Sequence, residues 1–159
     1  ASRPEIDPRK IGITGISLGG ILTALAAGVD GGFYRVVPIL SGGDIASIMF
    51  KAPETRRIRE SFPAKGITQS DLAQFLAPVE PLNFASRIAP DHCLMINAEK
   101  DQTIPKANAQ ALANAIGGPT MIWSPLGHVD SAIYLPNILQ KTADFFNGKP
   151  VKGLEFDRN

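Results

Sequence analysis

The chain has 159 residues, of which 44% are hydrophobic and 19% are charged, and its formal net charge is +1. A chain of this length is expected to fold as one domain, residues 1–159, and its apolar fraction is too high for a disordered protein. The near-zero charge provides no basic field for nucleic acid. The single cysteine, Cys93, excludes an internal disulfide and a cysteine-rich zinc site. We expect it to be a buried small hydrophobe, and it leaves the compartment open, cytoplasmic or exported.

The first elements are predicted within an uncharged stretch, residues 11–29, that is as long as a membrane span. Its composition favours another structure. Residues 11–16 are rich in β-branched side chains and predict a strand, whereas residues 21–27 are rich in alanine and leucine and predict a helix. Glycines separate the two parts, and Gly28 followed by Asp30-Gly31-Gly32 is predicted to close the helix. We therefore expect a strand, a turn and a helix here and no membrane span.

The elements that follow alternate between strand and helix. Strands are predicted at residues 34–40, 93–97 and 120–123, a helical turn at residues 83–88, and helices at residues 70–75, 105–116 and 131–146, the last interrupted near Pro136. Ser70 or Asp71 is expected to cap the first of these helices, and Asp130 and Ser131 the last. The alternation, with strands apolar along their length, predicts an α/β domain with a parallel sheet of about four strands flanked by helices. The polar tail, residues 147–159, is expected to be loose.

The pattern G-x-S-x-G occurs at Gly15-Ile16-Ser17-Leu18-Gly19, between a predicted strand and a predicted helix. A serine on such a sharp turn needs small residues at positions 15, 19 and 20, so that strand and helix can approach each other. The turn exposes the Ser17 hydroxyl at the C-terminal edge of the sheet and at a helix N-terminus, where backbone N–H groups favour a developing negative charge. We therefore expect a nucleophile at Ser17 rather than an ordinary turn or helix-capping serine.

A serine nucleophile needs a general base, and the base needs a group that orients it. In an open parallel sheet these groups follow later strands at their C-terminal ends. Asp101 follows the strand predicted at residues 93–97 and His128 follows the next one, so the chain order is Ser, Asp, His. Glu99 lies in the same loop as Asp101 and is an alternative acid. His92 precedes its strand, and we expect a structural or surface role for it at the opposite end of the sheet.

Together these motifs resemble the C-terminal half of an α/β-hydrolase. They are most similar to the branch that holds acetylxylan-esterase-like, dienelactone-hydrolase-like and prolyl-oligopeptidase-like enzymes. The resemblance spans roughly residues 3–146. It is carried by the approach to the serine at residues 3–20, the Asp101 loop that ends in Ile104-Pro105, and the pair Gly127-His128.

The resemblance implies a nucleophile at Ser17, a general base and then acid at His128, an orienting group at Asp101, and an oxyanion-hole donor at the backbone N–H of Leu18. It implies a serine esterase that acts on small-molecule carboxylic esters through an acyl-enzyme, with no metal or organic cofactor. A serine peptidase of the prolyl-oligopeptidase type is the alternative, although those enzymes usually carry aromatic residues where this chain has Ile16 and Leu18.

The family also inserts lid or cap segments at the position of residues 44–80. The basic residues of this stretch are either a solvated face or turned toward a substrate; they are Lys51, Arg56, Arg57, Arg59 and Lys65.

Such enzymes have several strands before the nucleophile strand, whereas only about ten residues precede Ile11. The second oxyanion donor, which an earlier loop normally supplies, therefore has no candidate, and losing one donor lowers the rate by about 10²–10³-fold. The strand from Ile11 to Ile16 would become an uncovered apolar edge. We therefore expect a partial α/β-hydrolase fold whose N-terminal strands are missing. A missing N-terminal half or a partner chain would cover this edge, and a non-catalytic subunit is the remaining alternative.

Overall fold

The computed structural model describes residues 3–152, and its sheet has four parallel strands in the order β1-β2-β3-β4. The strands are β1 (Gly12–Ile16), β2 (Arg35–Ile39), β3 (Leu94–Ala98) and β4 (Thr120–Ser124). The α-helices are α1 (Leu18–Asp30), α2 (Ile45–Lys51), α3 (Arg56–Arg59), α4 (Gln69–Leu76), α5 (Lys106–Ile116) and α6 (Leu135–Phe146). The predicted α/β architecture with four parallel strands is confirmed, and residues 11–29 form β1 and most of α1.

Helices cover both faces of the sheet, which explains why its strands are apolar along their length. On one face, α1 and α5 pack against Val36 and Met95. On the other face, α6 packs against a cluster that includes Val37 and Ile96. Cys93 lies in the first cluster with no exposed surface, as predicted for a small hydrophobe.

Strand β1 lies at one edge of the sheet, and β2 is its only strand neighbour within residues 3–152. Its register with β2 places Ile13 opposite Val36. Ile11, just before the strand, and Ile16, at its end, are 44% and 41% exposed. The apolar edge expected from the sequence is therefore present in the structure.

The C-terminal end of α1 lies within its predicted closing residues, whereas the N-terminal cap of α4 differs from the prediction. Helix α1 continues past Gly28 to Asp30, and its C-cap is Gly31, whose φ of 68° is the left-handed conformation that favours glycine. At α4 the N-cap is Thr68 rather than Ser70 or Asp71. Thr68 and Asp71 form a reciprocal capping box, which satisfies two backbone N–H groups at once.

The region before the last helix also differs from the prediction. Asp130 and Ser131 belong to a 3₁₀ turn, Asp130–Tyr134, and therefore do not cap α6, which begins at Leu135. Pro136 lies in the first turn of α6, where its missing N–H has no cost, so it starts the helix instead of interrupting it. The turn predicted at residues 83–88 appears as two 3₁₀ turns, Pro81–Asn83 and Ala85–Arg87.

Residues 44–80 form a helical segment between β2 and β3, and we call it the helical segment below. It contains α2, α3, α4 and short 3₁₀ turns. The Glu80 carboxylate joins its two ends, because it accepts the backbone N–H groups of Asp44 at 2.9 Å and Ile45 at 2.8 Å. Arg59 donates to carbonyl groups inside the segment, and Arg56 pairs with Glu60. A lid function for this segment stays a prediction.

Most of the predicted tail, residues 147–159, lies outside the described residues, and residues 149–152 follow α6 without regular structure. Across residues 3–152, no helix has the length and apolar character that a membrane crossing requires.

Candidate active site

Ser17 lies on the turn between β1 and α1 in a strained backbone conformation, with φ 58° and ψ −119°. Residues other than glycine rarely adopt such a positive φ, and where they do, the strain is often tied to function. The Ser17 N–H donates to the Ile39 carbonyl at 2.9 Å, and the Ser17 carbonyl accepts from Ile21 at 3.0 Å. Within the described chain the Ser17 hydroxyl makes no helix-cap hydrogen bond, so the capping alternative is not what the structure adopts.

The glycines around Ser17 differ in how tightly they are packed. A Cβ atom on Gly15 would lie 2.3 Å from the Gly19 carbonyl oxygen, and one on Gly20 would lie 2.5 Å from the Ile39 carbonyl oxygen. Among the described residues, a Cβ atom on Gly19 would meet no atom within 4 Å beyond its chain neighbours and the backbone of its own helix. The close approach of β1, α1 and β2 therefore requires glycine at positions 15 and 20. The expectation that position 19 must also be small for this approach is wrong.

A continuous chain of hydrogen bonds joins Ser17, His128 and Asp101. The Nε2 atom of His128 lies 2.8 Å from the Ser17 Oγ atom, and its Nδ1 atom lies 2.7 Å from the Asp101 Oδ2 atom. The side chain of Asp101 is 1% exposed and that of His128 is 14% exposed. The structure thus brings together the three residues that the chain order predicts to meet.

The second carboxylate oxygen of Asp101 is held by the backbone of its own loop. Oδ1 accepts the N–H groups of Thr103 at 2.9 Å and Ile104 at 2.7 Å. Both oxygens of this buried carboxylate therefore have hydrogen-bond partners, as a buried polar group requires. The loop fixes which oxygen faces His128.

The loop that carries His128 is held by two buried serines that the sequence did not single out for this role. The Ser131 hydroxyl donates to the Gly127 carbonyl at 2.7 Å and lies 3.2 Å from the Ser124 hydroxyl at the end of β4. Ser131, expected to cap a helix, instead ties the turn after His128 to the residues before it. The only sequence signal of the hydrogen bond between Ser131 and Gly127 is their spacing of four residues.

The alternative acid, Glu99, and the second histidine, His92, lie outside the hydrogen-bonded chain of Ser17, His128 and Asp101. Glu99 pairs with Lys106 at 3.5 Å on the surface, where its side chain is 47% exposed. His92 precedes β3, with Asp91 at 3.9 Å and the Tyr34 ring 5.8 Å away, and so lies at the opposite end of the sheet as expected. Leu18 is the first residue of α1, where backbone N–H groups have no intrahelical acceptor. Its role as an oxyanion donor stays a prediction.

Two cavities of different chemistry flank His128. One, of about 190 Å³, is apolar, and its lining includes Ile16, Leu40, Val129, Ala132 and Leu135. The other, of about 300 Å³, is polar, and its lining includes Glu54, Lys100, Gln102, Thr103 and Asp130. Apolar groups therefore lie on one side of the imidazole and charged groups on the other.

The parallel sheet, the strained serine turn and the order of its partners define an α/β-hydrolase. More narrowly, the model of the prolyl oligopeptidase family matches residues 1–119, and the chain belongs to that family. The branch indicated by the sequence motifs is thereby confirmed. No curated protein sequence matches the chain.

Solved structures of several hydrolases share the fold. An acylaminoacyl peptidase from Pyrococcus horikoshii aligns over 98% of this chain with 19% identity and a TM-score of 0.72. Acetyl xylan esterase 1 from Thermoanaerobacterium sp. JW/SL YS485 aligns over 87% with 22% identity and a TM-score of 0.67. A 2,6-dihydroxy-pseudo-oxynicotine hydrolase aligns over 99% with 15% identity and a TM-score of 0.70. The aligned region spans 26%, 48% and 46% of those three chains, so this chain corresponds to a part of each.

Proposed function

We propose that the chain carries the nucleophile, the general base and the orienting acid of a serine hydrolase that cleaves carboxylic esters. The observation that supports this proposal is the hydrogen-bonded chain from Ser17 through His128 to Asp101, built on a strained serine turn. Nucleophile and base within hydrogen-bond reach, with a third group orienting the base, is the arrangement that activates a hydroxyl for attack.

In the proposed reaction the Ser17 Oγ atom attacks the ester carbonyl carbon while His128 Nε2 accepts the hydroxyl proton. The imidazolium then returns that proton to the departing alkoxide, which leaves an acyl-enzyme on Ser17. A water molecule repeats the sequence and releases the acid. Asp101 accepts the Nδ1–H of His128 throughout, so it selects the tautomer with a free Nε2 and stabilises the imidazolium.

When Ser17 attacks, the carbonyl oxygen of the substrate becomes negatively charged in a tetrahedral intermediate and needs hydrogen-bond donors. The backbone N–H of Leu18 is our candidate for one of them. We propose that a second donor and a neighbour for β1 come from another part of the protein or from a partner chain. The exposed edge at Ile11 and Ile16 and the partial coverage of the related chains support this. A start codon immediately before Ala1, together with a monodisperse monomer in solution, would contradict it.

A peptide or acyl-peptide substrate is the second candidate, and membership of the prolyl oligopeptidase family favours it. The same three residues serve either substrate, because both reactions transfer an acyl group to the serine. The difference lies in the leaving group. An amine departs only after it takes a proton from His128, whereas the alkoxide or phenoxide of an ester depends less on that step.

Labelling of the full-length protein with a fluorophosphonate probe tests the proposal. We expect labelling at Ser17, identified by peptide mass spectrometry, and its loss in Ser17→Ala. Hydrolysis of short p-nitrophenyl esters and of peptide p-nitroanilides then separates the two substrates, and we expect the esters to be preferred. A preference for the anilides would make the protein a peptidase. A folded protein that takes no label would make it a non-catalytic subunit.

A further inference from the structure

The helical segment contacts the loop of Asp101 at two adjacent residues. The hydroxyl of Thr103 donates to the Glu54 carboxylate at 2.7 Å. The next side chain, Ile104, is 2% exposed and packs in a cluster with Ile48 and Ala52, which belong to α2 and its C-terminal cap. One polar and one apolar contact thus join the segment to the loop.

These two loop residues are the ones whose backbone holds Asp101. The N–H groups of Thr103 and Ile104 both donate to Asp101 Oδ1, which leaves Oδ2 directed at His128. A displacement of Thr103 or Ile104 would therefore move the donors that set the rotation of the carboxylate. The contacts made by Glu54 and by α2 act on Asp101 through one intervening residue each.

The base of the helical segment is fixed to the helix that follows the Asp101 loop. Asn108 of α5 donates its side-chain amide to the Gly43 carbonyl at 2.8 Å, and the Gly43 N–H donates to the Asn108 carbonyl at 3.1 Å. Glu80 joins the two ends of the segment through the N–H groups of Asp44 and Ile45. Because its base is anchored on α5, the segment has a defined position from which α2 and Glu54 can hold the loop.

We propose that the first part of the helical segment, residues 45–55, positions the acid of the catalytic site. Glu54 acts through the Thr103 hydroxyl, and Ile48 and Ala52 act through the Ile104 side chain, so Glu54 and Thr103 are positioning residues. The segment is then part of the catalytic scaffold in addition to any contact with substrate. The inference rests on the proposed function, because it assumes that Asp101 orients His128.

Two substitutions in the full-length protein test this proposal, each removing one partner of the Glu54–Thr103 hydrogen bond. Thr103→Val keeps the backbone N–H and the shape of the side chain, and Glu54→Ala changes an exposed residue, so both variants should fold. We expect kcat for an ester substrate to fall about five- to tenfold in each while KM stays within about twofold, because the carboxylate is misoriented but the apolar cavity beside His128 is retained. The double variant should lose no more than either single one, since both remove the same bond.

Two controls separate positioning from a structural or substrate-binding role. Thr103→Ser retains the hydroxyl and should restore kcat toward that of the parent protein. Glu60→Ala removes another acid of the same segment, one that pairs with Arg56 on the surface, and should leave kcat unchanged.

An unchanged kcat in both Glu54→Ala and Thr103→Val would overturn the proposal. So would a loss confined to KM, which would assign Glu54 to the polar cavity as a substrate contact. A parent protein that takes no fluorophosphonate label overturns the proposed function first and this inference with it. Labelling of the parent with unchanged variants overturns this inference alone.

Discussion

Alanine substitutions at two glycines of the Ser17 turn, Gly15 and Gly19, are predicted to have opposite effects on stability. Alanine at position 15 places a Cβ atom 2.3 Å from the carbonyl oxygen and 2.5 Å from the carbonyl carbon of Gly19. Among the described residues, the Cβ atom of an alanine at position 19 meets nothing within 4 Å beyond its chain neighbours and its own helix backbone. The two substitutions add the same methyl group to the same turn, so their comparison isolates the effect of packing.

The magnitude follows from the distances. Non-bonded heavy atoms approach to about 3.5 Å, so Gly15→Ala must move the start of α1 away from β1 by about 1 Å. Overpacking of this kind costs about 1–3 kcal/mol, and we expect the upper end because the obstacle is backbone. For a domain of this size, about 3 kcal/mol corresponds to a Tm lower by roughly 6–12 °C. Gly19→Ala lies inside α1 and should stabilise the helix by up to about 1 kcal/mol.

Thermal unfolding by circular dichroism and the rate of fluorophosphonate labelling measure both effects in the full-length protein. Gly15→Ala should also slow labelling about 100-fold, since a shift of about 1 Å misplaces Ser17 against His128. Gly19→Ala should be labelled within about threefold of the parent rate. If Gly15→Ala is as stable and as reactive as the parent, or if Gly19→Ala is equally damaged, the packing argument for the turn is refuted.

Three further changes have distinct expected outcomes. Asp101→Asn should slow fluorophosphonate labelling of Ser17 about 10³–10⁴-fold, because the amide favours the wrong tautomer of His128. The Glu99→Gln variant should be labelled at the parent rate. The reverse result would make Glu99 the acid. Burial raises the pKa of the Cys93 thiol from 9.0 to about 12, so the native protein should resist iodoacetamide at pH 8. Above pH 9 the unfolded thiol ionises while the folded one stays protonated, so urea titrations should show stability falling between pH 9 and about 12, and Cys93→Ala should lack this contribution. Glu80→Ala leaves three backbone N–H groups without their acceptor and should make residues 44–80 more sensitive to limited proteolysis. The Glu80→Gln variant should be cleaved at an intermediate rate. Equal resistance of the parent and both variants would contradict the role of Glu80 in joining the ends of the segment.

The strands were predicted closely because their signal is strong and local. Short, largely apolar runs bounded by glycine, proline or polar residues mark the strands, and each observed boundary lies within one residue of its prediction. Helix ends were predicted less well because several capping residues compete within a few positions. Thr68 prevails over Ser70 because only Thr68 forms the reciprocal pair with Asp71. Ser131 makes no helix cap because its hydroxyl bonds the Gly127 carbonyl instead.

The sequence by itself determined the architecture and the three residues that meet at the candidate site. A glycine-rich turn between a strand and a helix locates Ser17, and parallel strands carry Asp101 and His128 to the same edge of the sheet. The tertiary structure alone decided that Gly15 and Gly20 are closely packed while Gly19 is open, and that Glu54 holds the loop of Asp101. Those features depend on which atoms from distant parts of the chain come within a few ångströms of each other. Residue type and spacing do not encode such distances. The distances are set by how β1, α1 and the helical segment pack together.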